Sequence, residues 1–467
     1  MNVRARSGGA RGNRSLIRNS FARNSVSGLR AGLLGCAFVM RRTGGDQQCD
    51  CGKESSENCQ AFHHDGKANH NSVISQIAPL ACRGNRRNQV IVVCCSLGRL
   101  VIFIVANDVK SFQFEELQAM LGGLDEPSYR VGQIVDWLYK RRVESFENMT
   151  DLPHALRAQL AKLFIFDRLE IVRVLGSRDT TRKFLFRLAD GNLIESVLIP
   201  ASPALYGEKS DRRTICISTQ VGCAYGCKFC ASGLEGFSRN LRANEIIDQI
   251  IAIERVSGEK IDNVVFMGMG EPLANFENVM RAIRIINAPW GLGIGARHIT
   301  LSTSGVAPRI KKLADEPLQV RLAVSLHGAT DEVRNQIMPI NRKYNIETLL
   351  SACDYYAEHK KQRLTFEYIL IAGVNDSDEQ AHLLSRHARR LSARVNLIPY
   401  NTVEGLVWSR PSRNRQEKFL SILGAHKITA TLRREKGHDI DAACGQLRLQ
   451  TSRKGLLPRN LLHADES

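Results

Sequence analysis

Several things are scarce in this 467-residue chain: there is no acidic residue among the first 45, no charge-free apolar run of membrane-spanning length, and no secretory signal ahead of a regular cysteine pattern. The last absence argues against an extracellular disulfide framework for the 13 cysteines, and a reducing compartment is expected for the body. Residues 90–106 come nearest to a membrane span, being apolar except for Ser96, Gly98 and Arg99. They are slightly short, and an arginine near the centre costs about 2.5–3.5 kcal/mol on insertion scales, so a strand pair is favoured and no membrane partner is expected. The acid-free start holds nine Arg among Ser, Asn and Gly, the composition of an organelle transit peptide or a disordered arm. Cys49, Cys51, Cys59, His63 and His64 follow at irregular spacing that matches no zinc module, which favours disorder there.

What is present is a chain 43% apolar and 24% charged, ordinary for a soluble protein and long enough for two or three domains. Residues 1–107 carry 15 Lys and Arg against 5 acids, leaving +8 of the formal +18 to the remainder. A basic body suits a phosphate-backbone partner or simply a solvated surface. In residues 108–165, Phe112, Leu117, Met120 and Leu121, then Val131, Ile134, Val135, Trp137 and Leu138, recur at helical spacing and predict a small helical domain. Its Arg130, Lys140, Arg141 and Arg142 are either RNA contacts or the wet face of an amphipathic helix. Residues 166–213 alternate as strands, and Asp190-Gly191 signals a hairpin before a polar loop. Glu195 lies there among Leu193, Ile194, Val197 and Leu198, on the polar side of an alternating strand or aimed into a site.

Residues 214–449 repeat a strand-then-helix pattern six times, with strands expected at 215–219, 263–267, 299–302, 320–326, 363–371 and 394–398. This predicts an α/β fold, a partial (βα)6 barrel with a small N-terminal helical domain and a hairpin extension; residues 1–107 and 450–467 lie outside it. Every polar motif falls at the carboxyl ends of the strands, where such folds collect function. Gly268-Met269-Gly270-Glu271-Pro272 follows the second strand, Ser302-Thr303-Ser304-Gly305 ends the third, Ser325-Leu326-His327 the fourth and Tyr400-Asn401 the sixth. After the first strand come Cys223, Cys227 and Cys230, spaced by three and two residues. Three thiolates make an incomplete cage, either a metal centre with one open position, a zinc site completed from a distance, or a disulfide loop.

The C-x3-C-x2-C spacing with Phe229 before the last cysteine is the signature of the radical S-adenosylmethionine (SAM) enzymes. Gln220-Val221-Gly222-Cys223, Gly270-Glu271-Pro272 and Asp441-Ala442-Ala443-Cys444-Gly445-Gln446-Leu447 narrow this further. Over residues 112–449 the chain resembles the radical SAM adenine-C2 methyltransferases of ribosomal and transfer RNA, the RlmN/Cfr family. That resemblance implies a [4Fe–4S] cluster on Cys223, Cys227 and Cys230, and SAM held by Gly270, Glu271, Ser302, Ser325, Leu326, His327 and Asn401. It implies two SAM per turnover, a methyl group carried on Cys444, Glu195 as acceptor of the adenine C2 proton, and Cys216 closing a disulfide with Cys444 to release product. The expected partners are rRNA, tRNA and an electron donor such as flavodoxin or ferredoxin, for a cytoplasmic monomer, organellar if residues 1–45 are a transit peptide. Two competing expectations are adenine-C8 methylation by a relative sharing most of these residues, and a non-enzymatic zinc-dependent RNA-binding protein.

Overall fold

The computed structural model describes residues 107–177, 179–201, 212–234, 236–403, 405–433 and 445–453, and three strands before them. These are β1 (Ala37–Phe38), β2 (Gln89–Cys94) and β3 (Leu100–Val105). β2 and β3 pair antiparallel, so the apolar run at 90–106 is the expected strand pair. Among the described residues no helix is long and apolar enough to cross a membrane. Cys49, Cys51, Cys59, His63 and His64 lie outside the described residues.

Helices α1 (Phe114–Gly122), α2 (Tyr129–Tyr139) and α3 (His154–Leu163) follow the expected spacing, with Leu117, Leu121, Val131, Ile134, Val135 and Leu138 buried. The cations of this region are engaged within the molecule. Lys140 and Arg141 pair with Asp136, Arg130 with Glu126, and Arg142 with Glu254.

Next come β4 (Glu170–Gly176), β5 (Arg182–Arg187) and β6 (Leu193–Pro200), an antiparallel set turned at Asp190-Gly191. The hairpin does not stand apart. β6 pairs antiparallel with β7 (Arg213–Cys216), so these three strands continue the main sheet. The first strand of the parallel set is shorter than the expected 215–219. β7 stops at Cys216, and the chain then forms a separate ribbon of β8 (Gln220–Gly222) and β9 (Phe237–Asn240) that carries the three cysteines between its strands.

The remaining elements alternate: α4 (Ala243–Ser257), β10 (Asn263–Phe266), α5 (Phe276–Asn287), β11 (Ile299–Thr303), α6 (Ala307–Asp315), β12 (Arg321–Ser325), α7 (Asp331–Ile337), α8 (Ile346–Lys360), β13 (Thr365–Leu370), α9 (Asp378–Arg390), β14 (Arg394–Pro399), α10 (Arg413–Ala425), β15 (Ala430–Leu432) and α11 (Gln446–Arg453). The ten-stranded order is β15-β14-β13-β12-β11-β10-β7-β6-β5-β4, parallel from β7 to β15. The sheet stays open, and β15 adds a seventh parallel strand to the expected six. Parallel strands covered by helices are apolar throughout, and Val264, Phe266, Leu301, Val324, Phe366 and Leu397 are almost wholly buried.

The helical region is fastened to the sheet's covering helices by polar bonds. Ser111 Oγ donates to Asn244 Oδ1 at 3.1 Å, and Gln113 Nε2 to the Arg281 carbonyl at 3.2 Å. Beneath them Lys110 is buried with Asp108 and Asp248, its ammonium 3.0 Å from the latter on α4.

Candidate active site

The loops at the carboxyl ends of β7, β10, β11 and β12 are laced together. Gly268 N donates to the Ile217 carbonyl, Thr219 N to the Met269 carbonyl, and Glu271 N to Gln220 Oε1 at 2.9 Å. Gly270 is required here: its φ is +99°, and a Cβ would lie 2.5 Å from that of Gln220. Glu271 is buried, its Oε1 accepting from Leu273 N at 3.0 Å and its Oε2 from Ser304 N at 2.6 Å, which ties the β10 loop to the end of β11. Burial pushes its carboxyl above the usual range against those amide donors.

Ser302 lies in β11, Ser325 ends β12, and Leu326 and His327 follow; Leu326 N donates to the Glu367 carbonyl at 3.0 Å. His327 takes a left-handed φ of 57°, its Nδ1 accepting from Ile369 N at 3.0 Å while its ring meets Phe229 edge-on at 4.9 Å. Burial, with Arg334 nearby, lowers its pKa to about 3, so the ring is neutral at working pH with its proton on Nε2. Asn401 follows β14, its Oδ1 accepting from Arg410 at 3.2 Å.

Arg334 on α7, which sequence reasoning passed over, is fully buried beneath this rim. It donates to the Leu326 carbonyl at 3.0 Å, to Asn341 Oδ1 at 2.8 Å and to the Ser304 carbonyl at 2.5 Å. Burial lowers its pKa to about 10, which leaves it charged at neutral pH. It therefore fixes the ends of β11 and β12 and sets a positive charge facing Cys227.

The cysteine loop is folded by its own backbone. Cys223 N donates to the Gly236 carbonyl at 2.9 Å, Cys230 N to the Cys227 carbonyl at 3.1 Å, and Lys228 N to the Ile337 carbonyl at 3.0 Å. All three thiols are partly buried and free of disulfides. Burial pushes Cys223 up to about 12 and Cys227 well above the ordinary thiol value, and Cys230 adds repulsion to both. Among the described residues no three His, Cys, Asp or Glu side chains already form a metal cage. The donor set nevertheless suits an iron cluster: three thiols share one loop, where thiolates need a cationic metal to offset burial and mutual repulsion. The neighbouring hydroxyls of Ser232 and Tyr400 are buried and have no hydrogen-bond partner among the described residues, which leaves polar valence for a bound group.

A second cluster of groups stands where β6 meets β7. Cys216 is buried opposite Val197, and Glu195 is 1% exposed with its Oε2 3.0 Å from the ammonium of Lys183. Because β6 is buried on both faces over Leu193–Leu198, Glu195 is not the solvent side of an alternating strand. Its Oε2 accepts from Gly445 N at 2.7 Å and its Oε1 from Arg448 N at 2.5 Å. The carboxylate thus caps the first turn of α11, while Leu447 packs on Leu185 and Leu193. Cys444 itself lies outside the described residues, but the next residue in the chain is held at Glu195. Gly445 has a φ of +89°, and a Cβ there would come within 2.6 Å of Ser232 N, just beyond Cys230. Lys183, Gly445 and Arg448 were not singled out individually from sequence; the hairpin turn at Asp190-Gly191, which folds the strand of Lys183 back against that of Glu195, was the available signal for the first.

Residues 217–384 match the radical SAM superfamily, and residues 108–165 match the ribosomal RNA large subunit methyltransferase N-terminal domain. A probable dual-specificity RNA methyltransferase RlmN of Akkermansia muciniphila is 55% identical over 336 residues, covering 72% of this chain and 94% of that protein. The chain belongs to the RlmN family of radical SAM RNA methyltransferases. A second RlmN relative, from Opitutus terrae, is 53% identical over 73% of this chain and 94% of its own length. The crystal structure of a radical SAM methyltransferase from Sphaerobacter thermophilus superposes with a TM-score of 0.68 at 45% identity, covering 73% of this chain and 98% of that one. As an RlmN-family protein the chain is a SAM-dependent radical enzyme with a [4Fe–4S] cluster, which sets aside the zinc-site and disulfide-loop readings of its cysteine motif.

Proposed function

We propose that this enzyme methylates C2 of an adenosine in ribosomal and transfer RNA, using a methyl group carried on Cys444 and two SAM molecules per turnover. The observation that carries this reading is the docking of the chain next to Cys444. Gly445 N is bonded to Glu195, on the strand beside Cys216, and Gly445 abuts Ser232 at the end of the cysteine loop. A carboxylate, a thiol and the attachment point of a second thiol thereby meet beside the cluster loop.

Cys223, Cys227 and Cys230 would hold the cluster, with Arg334 offsetting thiolate charge and neutral His327 walling the SAM side together with Gly270, Glu271, Ser302, Ser325, Leu326 and Asn401. When bound, cluster and SAM would supply the radical chemistry that an sp2 ring carbon demands, removing one hydrogen from the Cys444 methyl group and taking back the odd electron left after the carbon–carbon bond forms. Cys444 takes the methyl group by displacement, its thiolate pair forming the S–C bond as the sulfonium sulfur leaves. Once that carbon is joined to adenine C2, Glu195 accepts the C2 proton. The Cys216 thiolate then attacks the Cys444 sulfur; the S–S bond forms, the S–CH2 bond breaks, and its electron pair stays with the carbon, which takes a proton to become the methyl group. The base has to leave the RNA stack to reach this site, which is cheapest in loops and bulges. The electron donor is a flavodoxin or ferredoxin and the enzyme acts as a cytoplasmic monomer, residues 1–107 lying outside its catalytic unit.

The test separates the two thiols. Cys216→Ala should accept methyl on Cys444 and react with RNA, then stall as a covalent protein–RNA adduct on denaturing gels. Cys444→Ala should give neither methylated protein nor adduct. An adduct from Cys444→Ala, or free methylated RNA in normal yield from Cys216→Ala, contradicts the assignment.

A further inference from the structure

Lys183 is 0% exposed at the side chain, and so is its partner Glu195. In the antiparallel register Leu185 faces Glu195 and Lys183 faces Val197, so Lys183 and Glu195 are diagonal neighbours on one face of the sheet. Among the described residues the carboxylate has three donors: Lys183 Nζ at 3.0 Å, Gly445 N at 2.7 Å and Arg448 N at 2.5 Å. Both oxygens act as acceptors, which is the hydrogen-bonding pattern of an ionised carboxylate.

A carboxylate offers about four lone-pair sites, so these three donors leave one for a substrate proton. Two of them are backbone amides of the turn after Cys444, and only Lys183, on β5, brings a charge. A buried carboxylate with no cation beside it takes up a proton and ceases to be a base.

We propose that Lys183 is the positioning residue for the proton-transfer step: it keeps Glu195 charged and aimed. This rests on the reading in which Glu195 takes the C2 proton. In that step the C2–H bond breaks, an O–H bond forms on Glu195 and the bonding pair stays in the ring, while Lys183 makes and breaks no covalent bond.

The experiment uses the full chain, reconstituted with its cluster and given SAM and an rRNA fragment. Lys183→Met should load methyl on Cys444 and form the protein–RNA adduct at the parent rate. Release of methylated RNA should fall about 100-fold, within the usual contribution of a general base. Raising the pH from about 7 to about 9 should drain the adduct, and Lys183→Arg should restore release. Lys183→Gln keeps a donor and removes only the charge, and it should behave as Lys183→Met; it decides the matter if Met does not fold. Parent-like release and pH profile in the uncharged variants, or loss of Cys444 methylation with no adduct, overturns the proposal. Glu195→Gln is run beside them: if it releases product normally, the underlying role of Glu195 has failed. If Glu195→Gln stalls and Lys183→Gln does not, only the Lys183 proposal has.

Discussion

At the scale of single residues the site depends on side chains and backbone positions that serve two purposes. Glu195 is both the proposed proton acceptor and the group that fixes the turn after Cys444. Gly445 makes that docking possible, because only a residue without a Cβ fits against Ser232 N at a φ of +89°. Gly445→Ala should therefore cost about 1–2 kcal/mol in left-handed strain alone, with further loss from the clash. The added methyl group lies beside Cys444 and not in the sheet core, so the effect should appear locally. The amides of α11 should lose hydrogen-exchange protection and Cys444 should alkylate faster, while the melting temperature of the main sheet changes little. Unchanged protection over residues 445–448 contradicts the docking role. His327 shows the opposite economy: burial holds it neutral, so no pH dependence of the reaction between 5 and 9 should trace to this ring.

At the scale of elements, the helical region is joined to α4 through a buried cluster in which two carboxylates flank one lysine. Asp108 and Asp248 are both raised above the ordinary carboxylate value, first by burial and only partly offset by Lys110. A raised folded-state pKa means the native protein holds the proton where the unfolded chain has lost it. This cluster's contribution to stability is full below the ordinary carboxylate pKa of about 4 and declines as pH rises toward neutrality. Asp248→Asn, which cannot ionise, should thus gain melting temperature relative to the parent between pH 5 and pH 8. If it falls further behind at pH 8, the ion pair with Lys110 outweighs burial. Much of this level was legible from sequence. Apolar runs between helical stretches marked the parallel strands, and Asp190-Gly191 marked the hairpin. The shortening of β7 and the separate β8–β9 ribbon were not, because residues 215–219 read as one strand while the break is imposed by hydrogen bonds from the distant β10 loop to residues 217–220. Lys183 escaped notice because a lysine in a hairpin strand ordinarily faces water, and only the packing of α11 against β5 and β6 buries it.

At the scale of the whole molecule, an open parallel sheet gathers the loops of successive strands at one rim, and the antiparallel extension brings Glu195 alongside Cys216. The C-terminal turn comes back across the sheet to that junction and places the residue after Cys444 between Glu195 and the cluster loop. In the proposed reaction this architecture would unite a radical-generating centre with an acid–base group and a thiol pair, the combination that methylation of an unactivated ring carbon needs. Nucleoside mass spectrometry tests this account most directly: the reconstituted enzyme is given a reductant, methyl-labelled SAM and an rRNA fragment without oxygen, and the RNA is digested to nucleosides. The account predicts labelled 2-methyladenosine, formed only when the cluster is present; labelled 8-methyladenosine, a label on any other base, or no methylated nucleoside from a cluster-replete enzyme that cleaves SAM would contradict it.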